Sequence, residues 1–128
     1  DIMNKASQFE YVTLYIIGEK YKPITRSFIG ISANMLLEKF NISKAFMAAT
    51  GINVQNGLSN SEMEENLIKQ YITGKSKETY VLADYSKMGK STLLTYCPLN
   101  SISKMFTDKN PPNDIKDYCH DQNITVHF

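Results

Sequence analysis

The chain has 128 residues, with 14 Lys plus Arg against 13 Asp plus Glu and a formal net charge of +1. That length fits one domain with a sizeable core, and so balanced a charge argues against nucleic-acid binding by this piece alone, because a phosphate backbone calls for concentrated positive charge. No apolar run reaches the roughly 18 residues of a membrane span and the residues in hand hold no basic-then-apolar leader, so a cytoplasmic protein without a membrane partner is expected.

In chain order, Asp1 to Ser7 reads as the tail of a helix, or a loop into one. Phe9 to Ile17, with Val12, Leu14, Ile16 and Ile17 apolar, reads as a strand ending at Gly18. The polar stretch Glu19 to Arg26 has the look of a hairpin, and Ser27-Phe-Ile-Gly30 returns as a short strand. Ser32 then caps a helix through Phe40, whose Met35, Leu36 and Phe40 follow amphipathic spacing.

Lys44 to Gly51 is a short apolar run bounded by glycine and reads as a buried strand. A polar loop, Ile52 to Asn60, leads to a helix over Ser61 to Gly74. Glu78 to Asp84 is a second buried strand, closed by Tyr85-Ser86-Lys87. Strand, helix and strand in that order form a parallel crossover unit. Thr50-Gly51 and Asp84 to Lys87 then fall on one edge of the sheet, the carboxyl edge, where ligands of open α/β sheets bind. Beyond this unit, Leu93 to Cys97 and Ile102 to Asp108 read as strands. Asn113 or Asp114 caps a helix to about His120, and Ile124 to Phe128 is a terminal strand. The alternation implies an α/β domain with a mainly parallel sheet flanked by helices.

In the central helix, Ser61-Glu-Met-Glu64 fits a capping box, and Met63, Leu67, Ile68, Tyr71 and Ile72 form the core stripe. Glu65 lies at the margin of that stripe, with Lys69 one turn on. The bland reading of this pair is a solvent-facing ion pair; the sharper one is a carboxylate aimed at a ligand. Three acids in the first turn repel an anion, so this loop suits hydroxyl groups, which a carboxylate accepts bonds from. A phosphate belongs elsewhere, and Lys87, just past a buried strand, is the candidate for it, with Asp84 positioned to orient it. Arg26 is a weaker candidate through its planar guanidinium. Cys97 and Cys119 read as free, partly buried thiols. With only His120 and His127 as histidines, neither a metal site nor any other cofactor is expected.

These stretches also carry a family pattern. Ser27-Phe-Ile-Gly30, Lys44-Ala-Phe-Met47, Gly51-Ile52, Gly57-Leu-Ser59, Glu64-Glu65 with Lys69, Asp84-Tyr-Ser-Lys87 and Phe106-Thr-Asp108 occur in the order seen in the C-terminal effector-sensing domain of DeoR-type bacterial repressors. Each is weak alone; in register over nearly the whole chain they are specific. The chain resembles that family, and within it the look is closest to lactose phosphotransferase system repressors. The resemblance implies a fold like that of ribose-5-phosphate isomerase and glucosamine-6-phosphate deaminase. It implies a phosphorylated sugar as effector, a hexose phosphate such as tagatose 6-phosphate in the lactose group. Operator DNA would be read by an N-terminal helix-turn-helix domain lying outside this chain, and a homo-oligomer is expected.

The family pattern adds Gly18, Gly51, Gly57 and Ser59 to Arg26, Glu65, Lys69, Asp84 and Lys87 as candidate effector-binding residues. It also implies that residues 1–128 are a sensing domain incomplete at its start, without the phosphate-cradling Gly-Thr-Thr loop. Gly18-Glu19 departs from the usual Gly-Gly, and Ser43 and Ser103 stand where acids are usual. Two other readings compete with the sensor. One is a sugar-phosphate isomerase or deaminase on the same fold, since a carboxylate base beside a lysine suits proton transfer next to a carbonyl. The other is an oligomerisation module with a vestigial pocket.

Overall fold

The computed structural model describes residues 2–30 and 37–128. A short helix α1 (Ile2–Ala6) precedes a hairpin of β1 (Lys20–Lys22) and β2 (Ser27–Ile29). Then follow β3 (Lys44–Met47), β4 (Gly51–Asn53), β5 (Gly57–Asn60), the long helix α2 (Met63–Lys75) and β6 (Glu78–Leu82). A single helical turn at Tyr85–Lys87 leads towards β7 (Leu94–Cys97), and a second turn, Leu99–Ser101, towards β8 (Lys104–Phe106). Helix α3 (Asn113–Asp121) and strand β9 (Thr125–His127) complete the order.

The sheet that organises the molecule is four-stranded and parallel throughout, in the order β3-β6-β8-β9. With Met47 opposite Val81 and Leu82 opposite Phe106, the strands all end on one edge. One face carries Ala45, Met47, Val81 and Met105 into a core shared with Ile115 and Cys119 of α3. The other carries an aromatic ladder: Phe46 to Tyr80 at 5.4 Å, Tyr80 to Phe106 at 6.1 Å and Phe106 to His127 at 4.8 Å. The α/β class and the mainly parallel sheet expected from the sequence are therefore both present, as are the terminal strand and the Glu19–Arg26 hairpin.

Several expectations are corrected. Phe9 to Ile17 forms no strand: no described strand pairs with it, its backbone hydrogen bonds from Phe9 and Val12 close local turns, and Phe9, Val12, Leu14 and Ile16 are exposed. Apolar composition makes a strand possible, but only a paired edge makes one.

Ile52 to Asn60 is not a loop but most of β4 and β5, which join β7 in a second, antiparallel sheet of three strands. Its polar residues disguised it. Ser59 and Asn60 are fully buried and hydrogen-bonded, Gly57 adopts φ +76°, and a Cβ there would lie 2.3 Å from the Cys97 carbonyl oxygen. Leu94–Cys97 accordingly belongs to this second sheet. β3 is half-buried in alternation, not buried on both faces.

The capping box is also absent, because α2 begins two residues later with Glu62 as N-cap and no side-chain cap bond. The Asn60 carboxamide instead donates to the Glu62 carbonyl (3.2 Å) and accepts from Asn66 (2.9 Å), tying the first turn to β5. Met63 and Leu67 are exposed, and the buried residue of α2 is Asn66, so the expected core stripe is reduced to Ile68, Tyr71 and Ile72 at half burial. Pro112, not Asn113 or Asp114, is the N-cap of α3. Most of the helix expected over Ser32–Phe40 lies outside the described residues. Both cysteines are free as expected and fully rather than partly buried, and burial pushes the Cys119 thiol up to about 11.

Candidate functional site

The parallel β3–β6 pair brings Ala48, just past β3, to the same edge as Ala83 and Asp84, just past β6. Helix α2 packs chiefly against β7, touches β2 and β3, and delivers Glu65 and Lys69 from consecutive turns. Glu65 is held from two sides: one carboxylate oxygen accepts the Ser27 hydroxyl proton at 2.8 Å, and the other lies 3.9 Å from the Lys69 amine. Lys69 donates to the Ala48 carbonyl (3.2 Å), which also accepts the Tyr96 hydroxyl (3.0 Å), and the amine lies 5.2 Å from the Tyr96 ring centroid. Ser27, Glu65, Lys69, Ala48 and Tyr96 thus form one polar line from the hairpin to the carboxyl edge of the sheet. Burial lowers the Lys69 pKa from its ordinary value, with Glu65 opposing it; burial likewise raises that of Tyr96. The pair is not the freely solvated one that i, i+4 spacing alone describes.

Asp84 and Lys87 make a second group on the helical turn after β6. Asp84 accepts the Ser86 amide at 2.9 Å and lies 4.0 Å from the Lys87 amine. Hydrogen bonds from Ser86 hold the Asp84 carboxyl below its usual range, with a smaller contribution from Lys87. Asp108 fixes this turn by accepting the Tyr85 amide at 2.6 Å. Here the β6 and β8 ends enclose a shallow hollow of about 310 Å³ containing Asp84, Phe106 and Asp108. A larger hollow of about 570 Å³ lies between the Asn53–Gln55 turn, Gly89 and the Asp114–Tyr118 face of α3, and none of the expected residues lines it. The smaller one stands at the strand ends, where ligands of open α/β sheets bind; its charged lining is Asp84 and Asp108, with the Lys87 amine 4.0 Å from Asp84.

The remaining candidates sit elsewhere. Gly51, Gly57 and Ser59 cluster in the second sheet. Ser59 is buried, donates to the Gly51 carbonyl (3.2 Å) and accepts the Thr92 amide (2.9 Å), while a Cβ on Gly51 would meet the Lys90 carbonyl at 2.7 Å. These three hold the wall behind the edge. Gly18 (φ +136°) packs against Phe28 at the foot of the hairpin, and Arg26 (φ +51°) is exposed in its turn. Sequence reasoning overlooked Ser27 and Tyr96 as partners of the pair, and the contact of Lys22 with Glu62 at 2.5 Å. The available signal was the hairpin itself: Lys22 and Ser27 are its closing pair, and Glu62 and Glu65 lie one helical turn apart. Among the described residues no three His, Cys, Asp or Glu are placed to hold a metal ion, and no helix is long and apolar enough to cross a membrane.

Comparison with known proteins adds the lineage. The family described as the DeoR C terminal sensor domain matches residues 1–109. Over all 128 residues the chain is 46% identical to the HTH-type transcriptional regulator IolR of Bacillus subtilis (strain 168), spanning 51% of that protein. It is 31% identical over 114 residues to the lactose phosphotransferase system repressor of Staphylococcus aureus (strain NCTC 8325 / PS 47), covering 87% of this chain and 45% of the repressor. The corresponding repressor of Staphylococcus epidermidis (strain ATCC 12228 / FDA PCI 1200) is 34% identical over 98 residues, 76% of this chain and 38% of that protein. The chain spans about half the length, or less, of these relatives. Lactose repressors of the kind the motifs resemble are thus among the similar proteins, while the identity to IolR is higher.

Proposed function

Because the chain belongs to the DeoR C-terminal sensor domain family, we propose that it is the effector-sensing part of a cytoplasmic, oligomeric transcriptional repressor of sugar metabolism. The effector is a phosphorylated sugar, and a helix-turn-helix module elsewhere in the protein reads operator DNA. The observation that carries this reading is the half-buried Glu65–Lys69 pair fastened to the Ala48 carbonyl at the carboxyl edge, a carboxylate positioned to accept sugar hydroxyl groups. Lys69 orients Glu65, Lys87 neutralises phosphate, and Asp84 positions Lys87. The helix-turn-helix is supported by the name of the IolR relative, which is described as HTH-type.

The mechanism is linkage. A sugar phosphate that prefers one arrangement of the domain shifts the attached readers towards one spacing, and an effector that weakens operator affinity by some factor binds the DNA-free form better by the same factor. An enzyme on this fold has less support, since the relatives carry regulator names. The test is to titrate full-length protein, bound to the promoter of its own operon, with hexose and pentose phosphates. Release of DNA by at least one of them, without turnover, is the expected result. Turnover would favour the isomerase or deaminase, and no binding by any of them would remove the sensing assignment.

A further inference from the structure

The hairpin β1–β2 is attached at its two ends by different kinds of contact. At its open end Ile29 is buried, 2% exposed, and the chain enters and leaves through Gly18 and Gly30 at φ +136° and +144°. Glycines tolerate such angles where other residues are strained, so each foot of the hairpin has a residue able to change its backbone angles at little cost. At the turn end the attachment to α2 is polar: Ser27 donates to Glu65 and Lys22 pairs with Glu62. Thr25 lies 2.6 Å from the Ser27 oxygen. Since the single Ser27 proton goes to Glu65, Thr25 is the donor there, which holds the Ser27 hydroxyl towards the carboxylate.

Glu65 is thereby the meeting point of two demands. Its Oε1 already accepts the Ser27 hydroxyl, and a sugar hydroxyl approaching Glu65 from the hairpin side meets that bond. We infer that the β1–β2 hairpin is a latch in competition with the effector for Glu65, so that a bound sugar displaces the Ser27 hydroxyl and frees the turn end of the hairpin while Ile29 keeps the open end seated. This rests on the sugar-phosphate reading of the site. It supplies what linkage requires, an element whose contacts differ between the free and the bound protein. By reciprocity, any change that weakens the latch must tighten effector binding.

The test uses the full-length protein with glucose 6-phosphate, fructose 6-phosphate, tagatose 6-phosphate and ribose 5-phosphate as probes, read by calorimetry and by backbone hydrogen exchange over residues 20–29. In the wild type a probe that binds speeds exchange around Lys22 and Ser27. Ser27→Ala shows that faster exchange with no probe present and binds the same probe several-fold more tightly. Ser27→Thr, which keeps a hydroxyl, behaves as the wild type. Binding with unchanged or slower hairpin exchange, or Ser27→Ala binding equally or more weakly, overturns the latch and leaves the sensor standing. If no probe binds the wild type, the sensor reading falls and the latch with it.

Discussion

Glu65–Lys69 and Asp84–Lys87 look alike in sequence, an acid and a lysine a helical turn apart at one edge of a sheet, yet the fold treats them differently. The Glu65 and Lys69 side chains are 18% and 20% exposed and engage the hairpin, the end of β3 and Tyr96 of β7. Asp84 and Lys87 are 53% and 37% exposed, and their partners lie within their own turn. The first pair is part of the framework, and whatever binds it is felt by several elements. The second is a local, solvated group suited to capturing a charge. On the proposed reading, the first pair registers the ligand in the structure and the second attracts it.

Removing the framework carboxylate should have the largest effect. Glu65→Ala deletes the acceptor of Ser27 and leaves the half-buried Lys69 without its counter-charge, and is expected to destabilise the domain by about 1–3 kcal/mol and to abolish sugar-phosphate binding. Thermal denaturation and calorimetry check both, and unaltered stability would erase the distinction between the pairs. Next, Lys87→Ala should weaken sugar-phosphate affinity at least about tenfold, the loss of one direct charge contact, while the melting midpoint stays within about 3 °C of wild type. An unchanged dissociation constant would take Lys87 out of the site.

The smallest effect concerns pH. The Asp84 carboxyl is held below its ordinary 3.8 in the folded protein, so it contributes stability that is fully present above that value and lost as pH falls through the lower folded pKa. Asp84→Asn should therefore be slightly less stable than wild type near neutrality, with the difference closing below about pH 4 as the wild type protonates. A mutant and wild type that lose stability in parallel would show that Ser86 does not hold the charged form.

Much of the scaffold was legible because it depends on local pattern. β6 is a short apolar run between polar boundaries, α3 follows a double proline, and β9 alternates. The candidate pairs were legible too, since helical spacing places Glu65 beside Lys69 whatever surrounds them. What failed were readings that treated polarity as exposure. Gly57 to Asn60 looked like a loop because its glycine, serine and asparagine are loop formers, yet each is buried for a contact made with a distant segment. Asn66, not Met63 or Leu67 of the expected stripe, is the buried residue of α2 for the same reason: its partner, Asn60, lies on another element.

By itself, the order of apolar runs and glycines determined that this chain is an α/β domain, because those features act over a few residues and survive any packing, and its ordered motifs carried the resemblance to DeoR-type sensors. Only the tertiary structure decided which pair is built in and which is free. Ser27, Ala48 and Tyr96 are 38, 17 and 31 positions from Glu65 in the sequence, and nothing short of folding could show that they converge on the same two side chains.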